Sequence, residues 1–450
     1  MTSLARSLVR ELATAPLAAL PAATLDKAVL CLVDYLACVF AGRKMPYAKQ
    51  AIAAARPWSF DAGVPVHATD LRLSPGEAAY LASLMAASAS RTDMHAPSTS
   101  HPAAVVFPVA FACAGIHPVT GAEFIAAVVA GYEAMGRLGR IVVGDAFKKR
   151  FRATSVVGAV GGAITAARLL HLDEAQAVAA LAISANTASG LMAWGHTGEV
   201  DLFYQPANAA RAAITAALLA REGATASETI LEAPGGFLAA FGGLDQADRL
   251  RERQSPQWEI EAIDYKPVPA CVFVQAAAFA AKKVVEEARL DSRQVASVTL
   301  RTFASALAYP GCDNAGPIAA MQPARMSLQY TVASVLAHRG LTDRNFTDLG
   351  NAEVDRIASE VTLEEDDRLS RAFPQRQGAH IEVRTRDGAA HVASIEEVPP
   401  VLPARVLERF RESAAPLYQA ATIERLETDC LACYGLPDIR ALLERTRFTT

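Results

Sequence analysis

From residue 74 to residue 221 the chain is a succession of alanine-rich apolar segments, several of them opened by residues that start helices. Ser74-Pro75-Gly76-Glu77, Thr120-Gly121-Ala122-Glu123 and Asp173-Glu174-Ala175-Gln176 each place a capping side chain three residues ahead of a Glu or Gln. They predict helices over 75–89, 121–136 and 174–187. The stretches 103–116, 154–170 and 206–221 read as helices as well, and Gly158, Gly161 and Gly162 would let neighbouring helices approach closely. Upstream, residues 4–20 predict one helix. Leu25 to Phe40 predict a second, capped by Thr24 and ended near Gly42. Apolar residues nearly surround this second helix, which suits a central position. No convincing strand alternation occurs before about residue 260, so this half is expected to fold as a domain of tightly packed helices.

The texture changes after Pro267 and Pro269. A helix over 271–289 is followed by a strand over 295–303, in which Val298, Leu300 and Thr302 alternate with other positions. A helix is expected over 325–338, and Asp387-Gly388 joins two strands, from His380 and from Ala390, as a hairpin. Pro399, Pro400 and Pro403 mark a second boundary, beyond which charged helices over 404–413 and 436–446 could return to the helical domain. The expected fold class is mainly α with a smaller α+β domain. The expected division is a helical domain over 1–264, an α+β domain over 265–400 and returning helices over 401–450.

With 52% hydrophobic and 20% charged residues the chain is globular and not disordered. A net charge of −4 gives no basic footprint for nucleic acid or an anionic membrane, so a bound anion must be met by a local cation cluster. The start of the chain lacks signal-peptide features, and the longest apolar runs fall short of a membrane span; a soluble cytoplasmic protein is expected. Seven scattered cysteines suit reduced thiols. Cys430 and Cys433 have CxxC spacing, but no second pair of ligands accompanies them. No Walker loop, GxGxxG or GxSxG site is present.

Against this apolar background, residues 90–102 form a polar loop that holds Arg91, Asp93, His95 and His101 among Thr92, Ser98, Thr99 and Ser100. Buried polar and charged groups are costly without partners or a ligand, and a loop that concentrates them is a site candidate. His196, in Trp194-Gly195-His196-Thr197, is a weaker candidate on the same ground.

Several segments in order resemble the MmgE/PrpD family, which includes 2-methylcitrate dehydratases, cis-aconitate decarboxylases and iminodisuccinate epimerase. They are the helix from Leu25 to Gly42, the loop ending His101-Pro102, Phe151 to Ser155, Tyr265 to Cys271, and Met326 to Tyr330. The resemblance covers almost the whole chain. It implies an all-helical domain plus an α+β lid that dimerises, so a homodimer is expected. It also aligns His101, Lys266 and Tyr330 with functional positions, and Asp93 with one aspartate of the family's D-F-D-D-T run. Arg91 and Met94 stand where that run has Asp, and His95 where it has Thr. Arg152 stands where the decarboxylase branch has a functional histidine, and Leu202 to Pro206 lack that branch's lysine.

The family's substrates are small polycarboxylates, and removing a proton beside a carboxylate creates enolate-like charge that fixed cations must stabilise. Arg91, Arg152 and Lys266 are the expected carboxylate clamp, with His95 as a further substrate-binding residue. His101 is the first choice for proton transfer, since its ordinary pKa of ~6.5 suits neutral pH. Asp93 orients it or acts as base, and Tyr330 or Lys266 serves the opposite face. These residues are expected to converge in a cleft between the two domains. The function expected is a cofactor-independent lyase of the dehydratase or hydratase type acting on a small di- or tricarboxylate. The alternatives are an epimerase of a polycarboxylate such as iminodisuccinate, or a retired homologue that only binds carboxylates. No metal is expected: Asp93, His95 and His101 match no standard ligand spacing, and Arg91 would repel a cation.

Overall fold

The computed structural model of the chain describes residues 2–15, 20–253, 255–288 and 290–448. The chain divides into two compact units, one comprising Met1–Leu191, Asp201–Tyr265 and Val401–Thr450, the other Met192–Val200 and Lys266–Pro400. The protein is mainly α, with a smaller α+β part.

In the first unit the helix Ala153–Leu169 is buried along its length except at Arg168. It packs against helices Ala103–Ala114, Gly121–Val142, Glu174–Ala185 and Tyr204–Arg221. A helix enclosed on several sides needs small residues at its contacts, and its glycines supply them. A Cβ on Gly161 would lie 2.3 Å from Cγ of Met135 and 2.8 Å from the Gly131 carbonyl oxygen; one on Gly162 would lie 2.8 Å from Cβ of Ala213. Gly42 closes another crossing, since its Cβ would stand 1.7 Å from the Met85 carbonyl oxygen. Gly42 is the last residue of helix Ala22–Gly42 and Arg43 continues in helical conformation, so this glycine serves packing and not the expected left-handed cap.

Other helix boundaries move for identifiable reasons. The first helix runs from Leu4 to Val9, capped by Ser3, and passes into a π-helical turn, Arg10–Thr14. Residues 16–19 of the predicted helix lie outside the described ones. The second helix starts at Ala22, and Thr24 lies inside it with its hydroxyl bound to Glu261 (2.6 Å). The boxes at Thr120 and Asp173 form as the spacing predicts. The one at Ser74 does not, and Glu77 pairs with Arg211 (3.1 Å). Two antiparallel pairs, Val64–Pro65 with Arg72–Leu73 and Met94–His95 with Ile263–Asp264, are two residues long, too short for a period to show in sequence.

The returning segment adds Pro403–Ala414, which packs on Ala22–Gly42, then Ala420–Leu431 and Arg440–Arg445. Arg409 meets Asp34 in a buried ion pair (3.1 Å). Near the end of the chain, Thr446 Oγ1 lies 2.6 Å from Nδ1 of the fully buried His67. Burial pushes the His67 imidazole down to about 3.

The second unit is built on a four-stranded sheet in the order Val361–Glu365, Val295–Thr302, Ala379–Thr385, Ala390–Ile395. The first pair is parallel and the other two antiparallel. Val298, Leu300 and Thr302 are buried in alternation as predicted, and a bulge near Val295 shifts the register. Gly388, with a φ of +91°, makes the hairpin turn. Helix Gln275–Ala288 packs on the hairpin strands and on Leu328–His338. Residue 289, the expected end of that helix, lies outside the described residues. The strand Val361–Glu365 escapes a period-2 reading because its second half is Glu364-Glu365.

Gly161→Ala should lower stability by about 1–3 kcal/mol in chemical denaturation, because clash with a backbone carbonyl exceeds the ~1 kcal/mol gain in helix propensity. The folded state holds His67 neutral, whereas an unfolded histidine protonates near ~6.5, so stability should fall as pH drops below that value, by up to about 1.4 kcal/mol per pH unit. In His67→Gln this loss should disappear between about pH 6.5 and 5.5, above the range where ordinary carboxylates chiefly titrate; an unchanged pH profile would assign the loss to other groups.

Candidate functional site

The polar loop is bent back on itself by two residues in left-handed conformation, Ser90 and Thr99. His95 and Ser100 exchange both main-chain hydrogen bonds across the bend, at 2.9 and 3.3 Å. His101 therefore emerges from a closed turn. Asp93, with no solvent exposure, accepts from the Ala103 amide (3.0 Å) and the Tyr132 hydroxyl (2.7 Å). Ala103 opens helix Ala103–Ala114, whose N-cap residue, Pro102, has no capping side chain. The Asp93 carboxylate takes that role, where the helix dipole favours an anion.

The Asp93 carbonyl oxygen accepts from His101 Nδ1 (2.6 Å), and the His101 amide donates to Thr154 Oγ1 (3.1 Å). A carbonyl can only accept, so in the neutral ring the proton sits on Nδ1 and the basic lone pair on Nε2. Thr154 belongs to the first turn of the buried helix Ala153–Leu169, and Arg152 is its N-cap residue. The fold thus brings Asp93, His101 and the start of this helix together.

Around Arg152 the chain makes a second convergence. Its amide donates to the Gly190 carbonyl (2.9 Å), and its guanidinium donates to the Leu202 carbonyl. Gly190 has a φ of +133°, and a Cβ there would lie 3.4 Å from Ser155 Oγ and 3.3 Å from Gln205 Oε1. Those two oxygens are buried and without a hydrogen-bond partner among the described residues. Beside Gly190 the fold thus places a buried hydroxyl and a buried amide oxygen close together.

His95 points elsewhere. Its Nε2 donates to Glu259 (2.8 Å) and its Nδ1 shares a hydrogen bond with Ser98 (2.7 Å). Arg140 also binds Glu259 (2.8 Å). Burial pushes the Glu259 carboxyl up, but hydrogen bonds from His95 and Arg140 outweigh it and hold the group down at about 2. The Glu259 amide donates to Glu133 (2.8 Å), which meets Arg137 (2.8 Å), itself bound to Glu11 (2.5 Å). The ring expected to bind substrate is thus one member of a buried ionic chain. Arg91 is half-buried, and its charge acts on Cys38 against the burial that pushes that thiol up.

The remaining candidates lie in the second unit. Lys266 is buried, at the start of a loop held by the Gln275 side chain, which accepts from the Val268 amide (3.2 Å) and donates to the carbonyls of Val268, Ala270 and Cys271. Tyr330 lies in the first turn of Leu328–His338, where Ser327 caps its amide (2.8 Å), and its hydroxyl donates to the Asp348 carbonyl (3.3 Å). Burial, with Asp355 and Asp348 adding to it, pushes the Tyr330 phenol up to about 12, so it stays protonated at neutral pH. His196 is exposed on the short helix Ala193–Thr197. Among the described residues no group of three or more His, Cys, Asp or Glu is placed to hold a metal ion, and no helix is long and apolar enough to cross a membrane.

Tyr132, Glu259, Ser155 and Gln205 were not among the residues expected from the sequence. Tyr132 looks like any core aromatic of an apolar helix, and Glu259 lies in a stretch with no pattern. Ser155 stood within the Phe151–Ser155 segment, whose polarity at a helix start was the available signal.

The chain belongs to the MmgE/PrpD family: residues 6–250 match the MmgE/PrpD N-terminal domain and residues 268–431 the MmgE/PrpD C-terminal domain. Among curated relatives it is 24% identical to cis-aconitate decarboxylase of Aspergillus terreus, over 94% of this chain and 92% of that protein. It is 28% identical to cis-aconitate decarboxylase of Homo sapiens, over 79% of this chain and 76% of the relative. The mouse enzyme of the same name is 26% identical over 80% of this chain and 76% of its own length.

Glu259→Gln removes the anion between His95 and Arg140 while preserving shape. It should cost about 3–5 kcal/mol of unfolding free energy, as breaking a buried ion pair does. A loss under about 0.5 kcal/mol, the scale of an exposed pair, would show that solvent already screens the chain of charges.

Proposed function

We propose that this chain is a cofactor-independent lyase of the dehydratase or hydratase type, acting on a small di- or tricarboxylate. The observation that carries this reading is the fixed tautomer of His101, held by the Asp93 carbonyl at 2.6 Å with its amide on Thr154. Membership of a family whose relatives here are cis-aconitate decarboxylases supports the lyase class and a carboxylate substrate.

In this reading Nε2 of His101 takes the proton from the carbon next to a carboxylate, with Asp93 as the residue that positions the ring. Charge that develops on the carboxylate is stabilised by Arg152, Arg91 and the amides that open helix Ala153–Leu169. Ser155 and Gln205 supply polar contacts to the substrate, the serine as donor. Lys266 and Tyr330, which the family resemblance aligns with functional positions, are assigned here, the lysine as a carboxylate partner and Tyr330 or Lys266 as the acid on the opposite face that protonates the departing hydroxyl. The C–H bond breaks toward His101, the C–O bond breaks with protonation of oxygen, and water leaves as the double bond forms.

A panel of small di- and tricarboxylates tests this by absorbance of the unsaturated acid, release of CO2 and uptake of solvent deuterium. Elimination of water supports the reading, CO2 release would make the chain a decarboxylase, and deuterium exchange without elimination would make it an epimerase. His101→Ala should lower kcat by about 10²–10⁴-fold, while Ser155→Ala and Arg152→Ala chiefly raise KM. Unchanged kcat in the His101 variant would remove that residue from the chemistry.

A further inference from the structure

Two cysteines of the second unit are held side by side by the backbone. The Cys271 amide donates to the Arg325 carbonyl (2.8 Å), and the Leu328 amide donates to the Cys312 carbonyl (2.8 Å), so one four-residue stretch anchors both. Their neighbours interlock as well: the rings of Phe273 and Tyr309 meet edge to face with centroids 5.0 Å apart. Gly311, with a φ of +87°, makes the turn that delivers Cys312. The two thiols share a hydrogen bond. Cys312 is fully buried, whereas Cys271 is only partly buried. The bond to Cys271 and then burial push the Cys312 thiol well above its ordinary range.

Contrast within the chain isolates this pair. Cys430 and Cys433, whose spacing drew attention in the sequence, are both buried, with burial pushing Cys430 well up and Cys433 to about 12. Reactive cysteines need solvent access as well as a partner, and Cys271 with Cys312 combines the two.

We propose that Cys271 and Cys312 are a peroxide-sensitive dithiol that closes to an intramolecular disulfide. The Cys271 thiolate attacks one oxygen of hydrogen peroxide, the O–O bond breaks, and the sulfur becomes a sulfenic acid as water is released. The Cys312 sulfur then attacks Cys271, the S–S bond forms, and the hydroxyl leaves as a second water with the Cys312 proton. Two thiols are oxidised and one peroxide is reduced to two waters; a small dithiol reverses the step by exchange. The bond would tie the end of the loop that begins at Lys266 to the segment that precedes the Tyr330 helix. An effect on substrate binding follows only if Lys266 has the role proposed above, while the disulfide itself does not depend on that role.

The test treats the full chain with hydrogen peroxide, blocks remaining thiols with iodoacetamide under denaturing conditions and maps the peptides by mass spectrometry. The expected result is one cross-linked Cys271–Cys312 peptide, with two fewer alkylated thiols than in untreated protein and both recovered after dithiothreitol. In Cys312→Ser, Cys271 should instead be trapped by dimedone as a sulfenic acid. Sulfinic acid at Cys271 without a cross-link in the unaltered chain, a cross-link to another cysteine, or no reaction at either position would overturn the proposal. A parallel KM measurement separates the two readings: a reversible cross-link that leaves KM unchanged supports the disulfide and counts against Lys266 as a substrate contact.

Discussion

A helix enclosed by its neighbours can exist only if those neighbours touch its backbone, and that constraint fixes the position of helix Ala153–Leu169. With Gly161 against Met135 and the Gly131 carbonyl, and Gly162 against Ala213, the helix cannot slide or tilt without a clash. Its first turn is therefore a rigid reference point. Thr154 takes the His101 amide there, and Arg152 is tied to Gly190 and Leu202. The placement of the His101 ring thus follows from small residues about two turns away. This explains how an alanine-rich helical unit can hold a site of fixed geometry.

Buried charge is the second organising term. Asp93 satisfies its oxygens with a helix amide and a tyrosine hydroxyl, and lends its carbonyl to His101. Glu259 is neutralised by His95 and Arg140, and its amide reaches Glu133 and so the Arg137–Glu11 pair. Two carboxylates that would each be costly alone become fixed points because each has at least two donors. The polar loop between residues 90 and 102 is stitched to the helices through them, which makes it a rigid element in a region where loops are ordinarily mobile.

Much of this architecture is legible in the sequence because it rests on local signals. The Thr120 and Asp173 boxes, the glycines of the buried helix, the alternation from Val298 to Thr302 and the turn at Gly388 are each set by residues within a few positions of one another. The failures share the opposite property. Thr24 looks like a cap and instead binds Glu261, and Glu77 looks like half of a capping box and instead meets Arg211; in both cases a distant partner outcompetes a local one. Tyr132 and Glu259 became site-supporting residues through contacts no periodicity encodes. Even so, the loop stood out, since polar residues in apolar surroundings are visible without knowing their partners, whereas the Phe151–Ser155 segment, Lys266 and Tyr330 were visible only through the family resemblance.

The two histidines of the loop show how the same residue type is given different duties. His95 uses Nε2 on a carboxylate that depends on it, so turning the ring would uncover a buried anion, and the cost of that holds the ring still. His101 leans on a carbonyl, which carries no net charge and keeps a second lone pair. A carbonyl sets the tautomer through a dipole and leaves the ring's charge to be decided by what meets Nε2. A ring that must accept a proton and release it again in each turnover is better served by that partner than by a carboxylate, which would hold the imidazolium once formed. The proposal that His101 and not His95 transfers the proton is supported by this difference in partners, six residues apart in one loop.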